Sequence, residues 1–167
     1  MISVEEALEK ILSYVDVLEA EDELLLDSLG RVLAEDVRST INIPPLDNAA
    51  MDGYAVQAES TKGASASAPR LLRVIGEVAA GYITKEEVAT GATIRIMTGA
   101  PIPKGADAVV QFEDTDEEAR KAAKRPLSEI SVLRQIENGL NIRRAGEDIS
   151  SGTLVLQAGT LISPQEI

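Results

Sequence analysis

The 167-residue sequence contains no cysteine, no histidine and no tryptophan, and only one Phe and three Tyr. Without Cys or His, a zinc centre of the thiolate–imidazole type is excluded. So are Cys–His and Ser–His nucleophilic catalysis. A metal held by these side chains has oxygen ligands alone, which selects a hard cation, most simply magnesium. Lack of Cys also leaves no disulfide framework of a secreted fold. The formal net charge is −12, with no extended basic run. That argues against a nucleic-acid partner and against an anionic membrane surface. The N-terminus, Met1-Ile2-Ser3-Val4-Glu5-Glu6, is acidic and polar, unlike a secretory signal. No apolar run approaches the roughly 20 residues that a membrane helix needs. Together these absences lead to the expectation of a soluble cytoplasmic protein.

The residues that are plentiful set the architecture. With so few aromatics the core must be built from Leu, Ile, Val and Ala, in one ordinary domain or two small ones. Ser3 to about Tyr14 reads as an amphipathic helix: Ser3 and Glu6 form a capping-box pattern, and Val4, Ala7, Leu8, Ile11, Leu12 and Val15 recur at helical spacing. A second short helix is expected over Ser28 to Ala34, and extended chain from Val37 to Ile43. Downstream the pattern changes to strands, over Leu71–Ala79, Ala92–Met97, Ala108–Phe112, Ile130–Ile136 and Thr153–Leu156. Gly, Pro and Asp punctuate them at short spacing, which favours a small barrel or sandwich. Ser60 to Pro69, rich in Ala, Ser and Gly, reads as a mobile surface loop. Gly159 to Ile167 reads as a strand, a turn and the opening of a helix, with Ser163 as cap and Pro164 at the first helical position.

Three stretches are candidates for chemistry, and the first is the one whose residue choices are hard to explain by packing alone. Pro44-Pro45-Leu46-Asp47-Asn48-Ala49-Ala50-Met51-Asp52-Gly53-Tyr54-Ala55-Val56 places two prolines, two carboxylates, a carboxamide and a glycine in one short loop. Asp52 either shapes the turn with Gly53 or offers a carboxylate to a cation. In Thr98-Gly99-Ala100 a hydroxyl followed by glycine lets backbone amides approach an oxyanion, or simply ends a strand. Arg95 and Lys104 stand near it in sequence, Arg95 on what reads as the exposed strand face. Arg143-Arg144-Ala145-Gly146-Glu147-Asp148 offers two guanidinium forks for phosphate or carboxylate, or a self-neutralised salt-bridge cluster. No P-loop or Rossmann glycine pattern occurs.

These stretches, with Gly30-Arg31-Val32-Leu33-Ala34-Glu35-Asp36-Val37 and the run Ile94 to Pro103, occur in the order found in the molybdopterin molybdenumtransferases. The chain resembles that family, the MoeA proteins and the related gephyrin E domain, over all but about residues 116–129. The resemblance implies a mixed, mainly β fold in three parts. They are an N-terminal helix over 1–17, packed in the family on a large α/β domain; an elongated, discontinuous α+β domain over 18–38 and 140–167; and an inserted β-rich domain over 39–139. It further implies the N-terminal portion of a molybdenum insertase, which converts adenylylated molybdopterin and molybdate to the molybdenum cofactor and AMP. The portion alone is expected to be inactive. Asp52, Thr98 and Asp148 are the implied catalytic residues; Asp47, Asn48, Gly99, Arg143 and Arg144 are the candidate substrate-binding residues, with Arg143 and Arg144 open between anion binding and structure. Asp52 is also the expected ligand for Mg2+. The family acts as a homodimer whose cleft joins the α/β domain of one subunit to the inserted domain of the other, with a molybdopterin adenylyltransferase as pathway partner. The alternative is a non-catalytic, gephyrin-like binding or scaffold module.

Overall fold

The computed structural model describes residues 2–167, and the chain divides into two compact units. One is formed by the residues up to Arg38 together with Leu154–Ile167; the other is Ser39–Thr153. Residues 140–153, expected in the elongated domain, group with the second unit.

In the first unit, helix α1 spans Val4–Leu12. Its capping box is present as the sequence predicts: the Glu6 amide donates to the Ser3 hydroxyl at 3.1 Å, and the Ser3 amide donates to the Glu6 carboxylate at 2.9 Å. The apolar stripe of Val4, Leu8, Ile11 and Leu12 is exposed. The helix expected over Ser28 to Ala34 does not form; the only helical turn nearby is a 3-10 turn at Leu25–Asp27. Gly30 adopts φ +79°, which ends any right-handed helix there. The following residues pair instead with a distant segment. Gly30 and Leu33 amides donate to Ile162 and Thr160 carbonyls, and Ile162 and Gly159 amides return bonds to Arg31 and Leu33, all at 2.8–2.9 Å. Strand β1 (Val37–Arg38) continues this arrangement by pairing antiparallel with β9 (Leu154–Leu156).

The second unit holds β2 (Asn48–Ala49), β3 (Gly53–Val56), β4 (Arg70–Val78), β5 (Ala92–Ile96), β6 (Ala108–Gln111), helix α2 (Glu117–Ala122), β7 (Glu129–Val132) and β8 (Ile142–Arg143). Five of these strands form one curled sheet in the order β6-β3-β5-β4-β7, antiparallel except between β4 and β5. The molecule is thus mainly β with few helices. Side-chain alternation splits the core between the two faces of the sheet. Tyr54, Val56, Ala108, Val110, Leu72 and Ile130 pack on one face; Ala55, Val109, Ile94, Ile96 and Val78 pack on the other. Strand β3 is therefore buried along its whole length.

The segment 60–69 is fastened rather than loose. Thr61 and Ala64 are buried, the Gly63 amide donates to the Gln135 side chain at 2.7 Å, and the Gln135 amide donates to the Ala64 carbonyl at 3.1 Å. Arg95 is also not on an open face: its side chain is 15% exposed. It pairs with Glu117, itself only 1% exposed, at 3.0 Å. The Tyr54 hydroxyl donates to the same carboxylate at 2.5 Å, and Lys121 pairs with it from the next turn of α2. Burial alone would raise the Glu117 pKa; bonds from Arg95, then Lys121 and Tyr54, outweigh it and hold the carboxyl below its ordinary value. The Arg95 guanidinium lies 4.4 Å above the Phe112 ring centre, and Phe112 meets Tyr54 edge-on at 5.6 Å.

Gly53 sits where β3 passes closest to β6. A Cβ added there falls 2.0 Å from the Val110 carbonyl oxygen. Gly53→Ala should therefore force the two strands apart and destabilise the protein by about 3 kcal/mol. Thermal unfolding of the variant measures this, and an unchanged midpoint would mean that the strands separate without strain.

Candidate active site

Three stretches far apart in sequence meet along one short ladder in the second unit. Strand β2 is its middle member. On one side the Ala49 amide donates to the Ala100 carbonyl at 2.9 Å, the Gly99 amide donates to the Ala49 carbonyl at 2.8 Å, and Ile102 donates to Asp47 at 2.9 Å. On the other side β2 pairs antiparallel with β8, Asn48 opposite Arg143. The Ala50 amide reaches the Asn141 carbonyl at 2.9 Å, and Gly146 and Asp148 amides reach Pro44 and Ile43 carbonyls at 2.9 and 3.0 Å. The proline-rich loop is thus held between the residues around Thr98 and those around Arg143.

Asp52 and Thr98 are both exposed and form one pair. The Asp52 Oδ1 accepts from the Thr98 amide and from the Thr98 hydroxyl, each at 2.7 Å. Those two bonds, amide first, lower the Asp52 pKa, with a smaller contribution from the positive field of Arg95. The carboxylate is therefore fixed in direction and ionised. The backbone amides near Thr98 are not an open oxyanion cradle. Thr98 donates to Asp52, Gly99 to Ala49, and Ala100 to the Met97 carbonyl at 2.9 Å.

A second, separate cluster lies on the other side of β2. Arg143 pairs with both oxygens of Asp148 at 2.5 and 2.6 Å, with Glu147 at 3.9 Å. Arg144 pairs with Asp47 at 2.6 Å, and the Ala145 amide donates to the same Asp47 at 2.8 Å. The amide bond, then Arg144, lowers the Asp47 pKa. Each guanidinium thus has its own carboxylate. Both pairs are open to solvent, where such pairs are worth about 0–1 kcal/mol and exchange partners readily. Asn48 lies between the two clusters. Its Oδ1 is buried and has no hydrogen-bond partner.

Lys104 pairs with Glu87 at 3.5 Å and joins neither cluster. Among the described residues no group of three or more Asp or Glu side chains could hold a metal ion. A cation at Asp52 would meet one protein carboxylate. Such a cation would need its further ligands from outside this chain. Tyr54 of the β3–β5 ladder and its partner Glu117 of α2 were not legible as a pair. Glu117 lies in a run of charges with nothing to distinguish it from Asp116 or Glu118.

With this geometry in view, comparison with known proteins is informative. Residues 2–167 match the family profile described as MoeA N-terminal region (domain I and II), and the chain belongs to that family. It is 39% identical over 165 residues to the molybdopterin molybdenumtransferase of Bacillus subtilis (strain 168), a match covering 98% of this chain and 37% of that protein. It is 39% identical over 140 residues to molybdopterin molybdenumtransferase 2 of Mycobacterium tuberculosis (strain ATCC 25618 / H37Rv), covering 84% of this chain and 33% of that protein. The crystal structure of the molybdopterin biosynthesis MoeA protein from Pyrococcus horikoshii OT3 superimposes with a TM-score of 0.84 at 44% identity, covering 97% of this chain and 41% of that one. The chain thus spans about a third of the length of the two curated relatives. Among the described residues no helix is long and apolar enough to cross a membrane.

The lowered pKa values of Asp47 and Asp52 set a pH dependence of stability. Both carboxyls bind protons more readily in the unfolded chain. Their contribution is complete above the ordinary aspartate value of about 3.9 and is lost as pH falls through the folded values. Urea midpoints should hold steady from about pH 7 to 5 and fall below about pH 4. Asp47→Asn and Asp52→Asn should each flatten that fall.

Proposed function

We propose that the chain is the N-terminal portion of a molybdenum insertase, which takes adenylylated molybdopterin and molybdate to the molybdenum cofactor with release of AMP. The observation that carries this reading is the Asp52–Thr98 pair: an exposed, ionised carboxylate held in a fixed direction by two short bonds. Family membership over residues 2–167 supports it. Cleavage of a phosphoanhydride needs charge neutralisation and alignment more than a strong nucleophile. This chain has no His or Cys to act as one.

In this reading Asp52 binds the cation and Thr98 orients Asp52. Asp52 would hold a magnesium ion there, and such an ion would supply charge neutralisation as the anhydride breaks. Arg143 and Arg144 stand ready to exchange Asp148 and Asp47 for substrate oxygens, each by the same fork geometry that now grips a carboxylate. Asp148 and Asp47 keep the two guanidiniums in place until then. Asn48 holds an unspent acceptor between the clusters. Gly99 leaves the approach to Thr98 open, since a Cβ there would meet only the Ala80 methyl, at 3.8 Å.

The same reading makes the active species a homodimer in the cytoplasm, with the site of this chain forming one wall of a cleft closed by an α/β domain. A molybdopterin adenylyltransferase supplies the adenylylated substrate. The family's division into a helix over 1–17, an elongated domain and an inserted β-rich domain goes with it. The exposed apolar stripe of α1 supports a partner surface beyond this chain.

Two outcomes test the proposal. The 167-residue chain alone, given adenylylated molybdopterin, molybdate and magnesium, should form no cofactor; measurable product would overturn the assignment of the missing machinery to other domains. In the full-length enzyme, Asp52→Asn should lower turnover by about a hundredfold, or about 3 kcal/mol, with substrate affinity little changed. Turnover and binding across a magnesium titration read this directly. Unchanged turnover with intact magnesium dependence would leave Asp52 a turn residue.

A further inference from the structure

The buried carboxylate of Glu117 plays no part in the site described so far, yet its contacts converge on that site. In the β3–β5 ladder Gly53 lies opposite Ile96 and Tyr54 opposite Arg95. Tyr54 is two residues beyond Asp52 on β3, and Arg95 is three residues before Thr98 on β5. Glu117 binds both: the Tyr54 hydroxyl at 2.5 Å and the Arg95 guanidinium at 3.0 and 3.4 Å. Phe112 closes the loop. Its ring lies under Arg95 and against Tyr54, and its amide donates to the Asp52 carbonyl at 3.3 Å.

We propose that Glu117 is a positioning residue for the Asp52–Thr98 pair, a clamp from α2 that locks β3 to β5 one step behind the two side chains. The proposal rests on the reading of that pair as part of the insertase site. A slip of β3 against β5 by one residue moves Asp52 by about 3.4 Å. That is enough to break both 2.7 Å bonds to Thr98. Stability alone does not account for a carboxylate 1% exposed. Well-packed apolar groups generally serve a core as well or better, and buried ion pairs are best attested as devices that fix register. The other charged groups facing the clamp are Glu77 of β4, which takes the free edge of Arg95 at 2.9 Å, and Lys121 of α2. Neither touches β3 through these bonds, so of these charged groups Glu117 is the one that bonds side chains of both strands.

The test compares Glu117→Gln and the gentler Tyr54→Phe with Ile130→Val, a change on β7 in the same core that lowers stability but removes none of the clamp's hydrogen bonds or ion pairs. In the 167-residue protein, the Thr98 amide resonance should move upfield and its hydrogen exchange should quicken in Glu117→Gln and Tyr54→Phe, but not in Ile130→Val. In the full-length enzyme, Glu117→Gln should lower kcat about tenfold to a hundredfold with KM within about twofold. Tyr54→Phe keeps the Glu117–Arg95 pair, so it reads the clamp even if Glu117→Gln does not fold. A Thr98 amide unchanged in Tyr54→Phe and Glu117→Gln, or equally shifted in Ile130→Val, would overturn the positioning role. An Asp52→Asn enzyme of normal turnover would instead overturn the insertase reading of the pair, and the role of Glu117 in that reaction with it.

Discussion

Strand β3 is the constraint on which the second unit depends. It is paired on both edges, with β5 and β6, and buried on both faces. Such a strand slides only at a cost, because a one-residue shift would turn Tyr54 and Val56 into the opposite core. Its first residue must be glycine for β6 to pass so close. The residue before that glycine is Asp52. The least movable strand of the unit thus delivers the carboxylate that meets Thr98, and the requirement for a precise site is met by core packing rather than by the loop itself.

The electrostatics divide along the same line. The chain carries a net charge of −12, and most of its ion pairs are open to solvent. Exposed pairs of this kind hold shape weakly and can be traded for a ligand. Arg143 and Arg144 belong to that class. The Glu117 cluster belongs to the other: enclosed, satisfied from several directions, and unable to exchange its partners without disturbing the strands. In the proposed reading one set is suited to meeting an anionic substrate, the other to keeping the framework still.

The elements that were legible in the sequence are those settled by near neighbours. Ser3 and Glu6 form their capping box within one helical turn. The strand Ala92 to Ile96 follows the alternation of its own side chains, and Ala108 to Gln111 begins as a short apolar run. The motifs around Asp52, Thr98 and Arg143 were also visible as odd residue choices, although not how they divide. Misreadings fall where a distant partner decides. A helix was expected over residues 28–34, but the Gly30 and Leu33 amides bond to Ile162 and Thr160. Arg95 was read as exposed because it alternates with Ile94 and Ile96. The charge that buries it comes from a helix more than twenty residues away.

The sequence by itself determined the chemistry available: no thiolate, no imidazole, an acidic surface, oxygen ligands, and a loop of prolines and carboxylates too specific for packing alone. It also determined helix α1 and most strands of the central sheet, because those preferences act over a few residues. Only the tertiary structure decided the pairings. It gave Thr98 to Asp52, Asp148 to Arg143, Asp47 to Arg144 and Glu117 to both Tyr54 and Arg95. A charge has no preferred partner until the sheet brings one within hydrogen-bond distance, and the register of that sheet is set by the burial of side chains far from the charges themselves.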